Sequence, residues 1–295
     1  MIIVEPEVIS QEQARGKPMA VAYGGGTNST ALLVALKEAG MRPSFITFSD
    51  TGGERDHTYQ HIEAVQGWLR SINFPAIEIV RKTDRQGNVL TLEQDCLSGN
   101  RLPSIVYGYK TCSQKFKIQP QDKWFNNNPE AKEIWRGGEK IIKLIGYDAD
   151  EERRVKHYPE DKKYSHAYPL VHWFNWDRDD CVDAIKRAGL PQPGKSACFF
   201  CPSSKKTDIL DLAKHEPEKL IRAIAIEDNA KSGLTSITGL GRRFAWRELA
   251  ETGGAPGRYF WEEEMPCDCY DGEPVNDNQP ISNEEWLRIR ADLIG

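Results

Sequence analysis

Two short stretches of this chain gather residue types that can do chemistry. The first is Gly24-Gly25-Gly26-Thr27-Asn28-Ser29-Thr30, directly after Tyr23. Glycines let backbone N–H groups close around an anion, and a helix starting behind them adds unpaired donors and the positive end of its dipole. The hydroxyls of Ser29 and Thr30 can join the same phosphate. The second stretch is Cys198-Phe199-Phe200-Cys201-Pro202, whose two thiols are spaced to hold one metal ion, or one edge of a cluster, from a tight turn. Plainer readings stand beside both: a glycine turn with a helix cap, and a pair of small buried hydrophobes. The glycine stretch has neither the Gly-Lys-Ser/Thr of a Walker loop nor the third glycine of the dinucleotide fingerprint, so its setting carries the phosphate reading.

That setting is a strand, a loop and a helix. Met19–Tyr23 is a short apolar run, and Ser29–Ala39 has the apolar face of a helix. Further strands are expected at Pro43–Phe48, Ala76–Val80, Lys140–Ile145 and Ala167–Val171, with a helix across Asp56–Ser71. The alternation predicts an α/β fold with a doubly wound, mostly parallel, five-stranded sheet. Residues 83–138 are expected to form loops and short helices over the strand ends. Helices are also expected at Asp177–Ala188, at Lys205–Lys231 with a break at Pro217, and at Asn283–Leu293. The division that follows is a nucleotide-binding part, residues 1–190, and a helical, cysteine-bearing part, residues 191–295, with an acidic tail rich in Gly and Pro.

With its strand before it and its helix after it, Gly25-Gly26-x-x-Ser29 resembles the loop of the PP-loop ATP pyrophosphatases, which share the adenine nucleotide alpha hydrolase-like (HUP) fold with the PAPS reductases. Gly24 stands where that family has its first Ser, and Asn28 where it has Asp, so the carboxylate of a family-style magnesium role is missing. Ser49-Asp50-Thr51-Gly52 with Glu54 resembles the segment after the second strand of PAPS reductase-like proteins, where Ser49, Asp50 and Thr51 would border an adenosine. Gly146-Tyr147-Asp148-Ala149-Asp150-Glu151-Glu152-Arg153-Arg154 is similar to the Gly-x-x-x-Asp-Glu-x-x-Arg signature of the group. Acidic residues there can hold Mg2+ between two phosphates and Arg154 can clamp one, or the stretch is a helix start whose acids suit the dipole.

The resemblance extends to Lys110-Thr111-Cys112-Ser113-Gln114-Lys115-Phe116-Lys117-Ile118-Gln119-Pro120, similar to the Cys-Thr-x-x-x-Lys-Ile-x-Pro segment of PAPS reductase-like and DNA-phosphorothioation proteins. It implies that Cys112, Cys198 and Cys201 hold a 4Fe-4S cluster with one open iron for incoming sulfur, with Lys115 and Lys117 drawing an anionic substrate. The other assignment is a zinc site of four thiolates, Cys198, Cys201, Cys267 and Cys269. Cys96 and Cys181 read as core residues, and His57 and His61 as surface or capping residues.

The function implied is ATP-dependent adenylation of an acceptor (DNA, tRNA or a small molecule), followed by sulfur insertion. Ser29, Lys115 and Arg154 would be catalytic, and a cysteine desulfurase would donate the sulfur. Two alternatives remain open: a sulfonucleotide reductase, although the Glu-Cys-Gly-Leu-His-type tail is absent, and a nucleotide- or DNA-binding accessory subunit without activity. With 295 residues, 28% charged and a net charge of −5, the composition is that of a soluble globular protein and argues against one that coats nucleic acid non-specifically. With no bilayer-length apolar run and no signal peptide, the expected location is the cytoplasm, away from any membrane.

Overall fold

The computed structural model describes residues 8–156 and 161–252. Its strands are β1 (Met19–Tyr23), β2 (Phe45–Asp50), β3 (Ile77–Arg81), β4 (Ile141–Leu144) and β5 (Tyr164–Ala167). They lie in the order β3-β2-β1-β4-β5, and every pairing is parallel. The chain therefore winds outward from β1 to one edge, then returns to the other side of β1 with β4. Between β1 and β4 the winding reverses, and it is at the carboxyl ends of the strands beside such a switch point that open α/β sheets take their ligands.

Both faces of the sheet's centre are covered, which is why β1, β2 and β4 are buried almost throughout, whereas the edge strands β3 and β5 carry polar and exposed residues. Met19, Val21 and Tyr23 of β1 pack into one core with helices Thr27–Glu38, Asp56–Ser71 and Arg178–Arg187, whereas Ala20 packs into another with Phe45, Phe125 and Ile141. Leu32, Leu33 and Leu36 are wholly buried; such side chains each stabilise the fold by about 1.5–3 kcal/mol relative to exposure. On the second face Trp124, Phe125, Phe45 and Tyr164 meet edge to face, with ring centroids 4.9–6.0 Å apart. The doubly wound α/β architecture with a five-stranded parallel sheet is the expected one.

Two boundaries differ from expectation, and one helical run carries a local change of pitch. The first helix begins at Thr27 rather than Ser29, because Gly26 serves as its N-cap. The last strand is Tyr164–Ala167, and the stretch expected to be a strand beyond Ala167 is instead a helical turn, Pro169–His172. Pro169 explains this: it cannot donate to a strand ladder and its fixed φ suits the first turn of a helix. Between Thr111 and Asn127 one long helical run passes through a π turn at Gln114–Ile118. Pro120 lacks the N–H that would bond to Phe116, so the turn before it loosens. The break at Pro217 falls as expected, between helices Lys206–His215 and Pro217–Ala230. These helices share a separate core with Leu92, Leu102 and Phe116, so the C-terminal part packs onto residues from the middle of the chain. The tail from Gly253, the helix at Asn283–Leu293, Cys267 and Cys269 lie outside the described residues.

Candidate nucleotide and thiol site

The phosphate loop crosses the end of β1 and is tied from behind. Gly25 takes φ +77°, a left-handed conformation that a side chain strains, and this turns the backbone into the helix start. Ser29 Oγ bonds both ends of the turn, donating to Gly26 O at 3.1 Å and lying 3.3 Å from Gly26 N. Thr30 Oγ1 donates its only proton to Gly26 O at 2.9 Å. It must therefore accept from His61 Nε2 at 2.9 Å and from the Tyr23 hydroxyl at 3.2 Å. The first-turn N–H groups have no acceptor within their own helix, and a phosphate is the ligand such an arrangement suits.

His61 is thus buried behind the loop, which corrects its reading as a surface or capping residue; apolar positions around it on the same helix face carry it inward. Burial, reinforced by nearby His57, pushes its pKa down to about 4, so it stays neutral. His57 is half-buried and bonds Lys195 O at 3.0 Å.

The loop after β4 closes against the phosphate loop. A Cβ on Gly146 would lie 3.1–3.2 Å from the backbone of Asn28 and Ser29, so a side chain there would press that backbone back by a few tenths of an ångström. Asp148, 3% exposed, caps the short 3-10 helix Ala149–Arg154 by accepting from Glu151 N at 3.1 Å. Its carboxyl pKa is raised by burial and by the charge of Glu151, and a hydrogen bond from Asn28 opposes the rise. Asn28 Nδ2 also donates to Glu151 Oε2 at 3.0 Å, while Arg178 donates to Asn28 Oδ1 at 3.0 Å. Arg154 pairs with Glu151 and lies over the Tyr147 ring, 4.3 Å from its centroid. The acidic signature and the phosphate loop therefore form one network.

Beside β2 the picture changes. Ser49 Oγ donates to Lys117 O at 2.9 Å and accepts from Gln121 Nε2 at 2.9 Å, pinning the π-turn segment over the strand end. Asp50 accepts from Gly52 N, the Tyr59 hydroxyl and Arg81 Nε at 2.8–2.9 Å. Both side chains are engaged in holding the loop after β2. Thr51 leads onward: its hydroxyl lies 3.1 Å from Cys198 Sγ and 3.4 Å from Glu54 Oε1.

Through these contacts the Cys198–Cys201 turn is seated on the end of β2. Glu54 and Cys198 form an antiparallel bridge, and Phe199 N donates to Gly53 O at 2.7 Å. Ser196, two residues before Cys198, hydrogen bonds Gly24 O of the phosphate loop. Lys195 and Asp208 anchor the turn from beneath as a buried ion pair, Nζ to Oδ2 2.5 Å. Cys198 feels the charges of Glu54, Lys117 and Cys112, so Cys112 belongs to the same neighbourhood; Lys115 is exposed. Burial, with Glu54 beside it, pushes the Cys198 thiol pKa up, against the pull of Lys117, so Cys198 is a protonated thiol here. Glu54 is 2% exposed, its Oε2 has no hydrogen-bond partner among the described residues, and burial raises its pKa.

Cys112, Cys198 and Cys201 are free thiols and, by donor type, suit iron or zinc. Among the described residues, however, no three His, Cys, Asp or Glu side chains are gathered closely enough to hold a metal ion. Cys96 and Cys181 are core residues, as read. Arg178, Lys195 and Ser196 were not legible as site residues. Arg178 alone carried a signal, being a cation in the first turn of a helix, where the dipole disfavours it.

The fold is that of a doubly wound α/β protein with a glycine-rich loop between β1 and its helix, beside the switch point of the sheet. No family model matches the chain. It is 24% identical over 237 residues to uncharacterized protein MJ0066 of Methanocaldococcus jannaschii; the match takes in 74% of this chain and 44% of that protein, so the chain spans less than half of its relative's length. A solved structure, the U34-tRNA thiolase NcsA of Methanococcus maripaludis with its 4Fe-4S cluster, is similar over 87% of this chain and 86% of that one, with 15% identity and a TM-score of 0.42. A likeness of that degree assigns no activity. Among the described residues no helix is long and apolar enough to cross a membrane.

Proposed function

We propose that this chain is a PP-loop ATP-binding enzyme of the sulfurtransferase type. The observation that carries the proposal is the hydrogen bond from Ser196 to Gly24, which puts the cysteine turn against the phosphate loop. An acceptor oxygen attacks the α-phosphorus of ATP, pyrophosphate leaves, and a sulfur nucleophile then displaces AMP together with that oxygen. In this scheme the first-turn amides and Ser29 hold the phosphates and stabilise the charge that develops on them, and Arg154 adds a cation. A 4Fe-4S cluster, when bound by Cys112, Cys198 and Cys201, would supply a seat for the incoming sulfur. The acceptor is DNA, tRNA or a small molecule, and a cysteine desulfurase is the sulfur source that fits the chemistry.

The test is pyrophosphate release by anaerobically purified protein given ATP and pooled nucleic acid, with iron analysis of the same sample. Release that depends on both additions, from iron-containing protein, is the expected result. Sulfite release from a sulfonucleotide would point instead to a reductase. A second reading has one observation in its favour: Asn28 stands where the family has a carboxylate, as a nucleotide-binding accessory subunit without activity would allow. Saturable ATP binding with no turnover would select it.

A further inference from the structure

We infer that Arg178, held at the phosphate loop by Asn28, provides the positive charge that a divalent cation would otherwise bring to the nucleotide, so binding at this loop tolerates removal of magnesium. The inference rests on the nucleotide reading above and adds which charge meets the phosphates.

The side-chain amide of Asn28 joins Glu151, Asp148 and Arg178. Its nitrogen donates to Glu151 Oε2 at 3.0 Å and its side chain also hydrogen bonds the buried Asp148 carboxyl. Its oxygen accepts from Arg178 at 3.0 Å. A carboxylate at position 28 would face two others, an arrangement that repels itself unless a hard cation such as Mg2+ sits among the oxygens. The amide removes that need, because it is neutral and hands protons to both neighbours. Its oxygen then holds a guanidinium where the cation's charge would have been. The residues present therefore do not fit a magnesium site centred on this position.

Arg178 and Arg154 differ in what they can still do. Arg154 is committed to the Glu151 carboxylate and to the face of Tyr147. The guanidinium of Arg178 is half-buried and donates to a neutral amide. A guanidinium has five N–H donors in a planar fork, so one bond to Asn28 leaves it able to meet phosphate oxygens bidentately. It occupies the first turn of helix Arg178–Arg187, alongside Asp179 and Asp180, where the dipole favours acids and works against a cation. A residue placed against its local preference, one hydrogen bond from a ligand loop, is the kind of exception expected of a functional position.

Two measurements test this. The first is ATP affinity, by titration calorimetry in Mg2+ and in EDTA, for wild type, Arg178→Lys and Arg178→Ala. Wild type is expected to bind within about threefold in the two buffers. Loss of a charge-assisted phosphate contact should weaken Arg178→Ala by about tenfold or more in both, with Arg178→Lys between them. A wild type that binds more than about tenfold worse in EDTA, or an Arg178→Ala protein that binds as well as wild type, overturns the inference. The second is the melting temperature with Mg2+ alone and no nucleotide. Asn28→Asp should gain a magnesium-dependent rise that wild type lacks; a rise in wild type, or none in Asn28→Asp, counts against the charge substitution. If wild type binds no ATP in either buffer, the nucleotide reading itself fails, while the magnesium arm still reports on Asn28.

Discussion

The turn of the phosphate loop is closed by its own neighbours, the Ser29 and Thr30 hydroxyls reaching three and four residues back to Gly26, and distant residues meet it at Asn28 and Gly24. The cysteine turn is fastened from far away, Cys198 to Thr51 across 147 residues and Ser196 to Gly24 across 172. Both leave a buried atom unsatisfied, of different kinds. Behind the phosphate loop Thr30 is fully bonded, by Gly26, Tyr23 and His61, but the neutral His61 ring keeps Nδ1 without a hydrogen-bond partner among the described residues. Beside Cys198, Glu54 keeps a buried carboxylate oxygen with no hydrogen-bond partner among the described residues. A turn closed by consecutive residues can be read from sequence. One assembled from distant segments is invisible in the sequence, and in this chain it holds a protonated thiol beside a buried acid.

That contrast can be broken most forcefully at Lys195. Asp208→Ala removes the carboxylate that neutralises the buried Lys195 ammonium, which costs about 3–5 kcal/mol. Denaturant unfolding should show the loss, and hydrogen exchange should place the earliest loosening at the Phe199 and Cys201 amides. A loss under about 1 kcal/mol, or uniform loosening, would mean that the pair does not anchor the cysteine turn. Next in size is Gly146→Val, which drives a side chain into the backbone of Asn28 and Ser29. Overpacking of that kind costs about 1–3 kcal/mol. The account expects ATP affinity to fall along with stability while exchange at the cysteine turn stays near wild type. Unchanged ATP affinity would separate the β4 loop from the nucleotide site.

A smaller effect concerns pH. The folded pKa of His61, about 4, lies below its ordinary 6.5, so its contribution is intact above pH 6.5 and is lost as pH falls toward 4. His61→Gln should flatten the dependence of melting temperature on pH across that window. An unchanged slope would show that His61 is not held neutral behind the loop.

How much the sequence disclosed follows the same contrast. The glycine loop, its strand and its helix were legible because periodicity and glycine spacing act over a few residues. Asp148 was legible for the same reason, lying just past a strand. The register of β5 was misread where one proline outweighed an apolar run. The partnership of Asn28 with Arg178, the anchoring of Lys195 by Asp208 and the burial of His61 depend on packing between separate elements. Spacing along the chain carries no record of these.

The central claim, that Gly24–Ser29 binds the phosphates of an adenine nucleotide, is tested most directly by titrating ATP into wild type and Ser29→Ala under identical conditions. The account predicts saturable, one-to-one binding by wild type and a weakening of about 1 kcal/mol, roughly fivefold, in the variant. No saturable binding, or equal affinity in the two proteins, would contradict it.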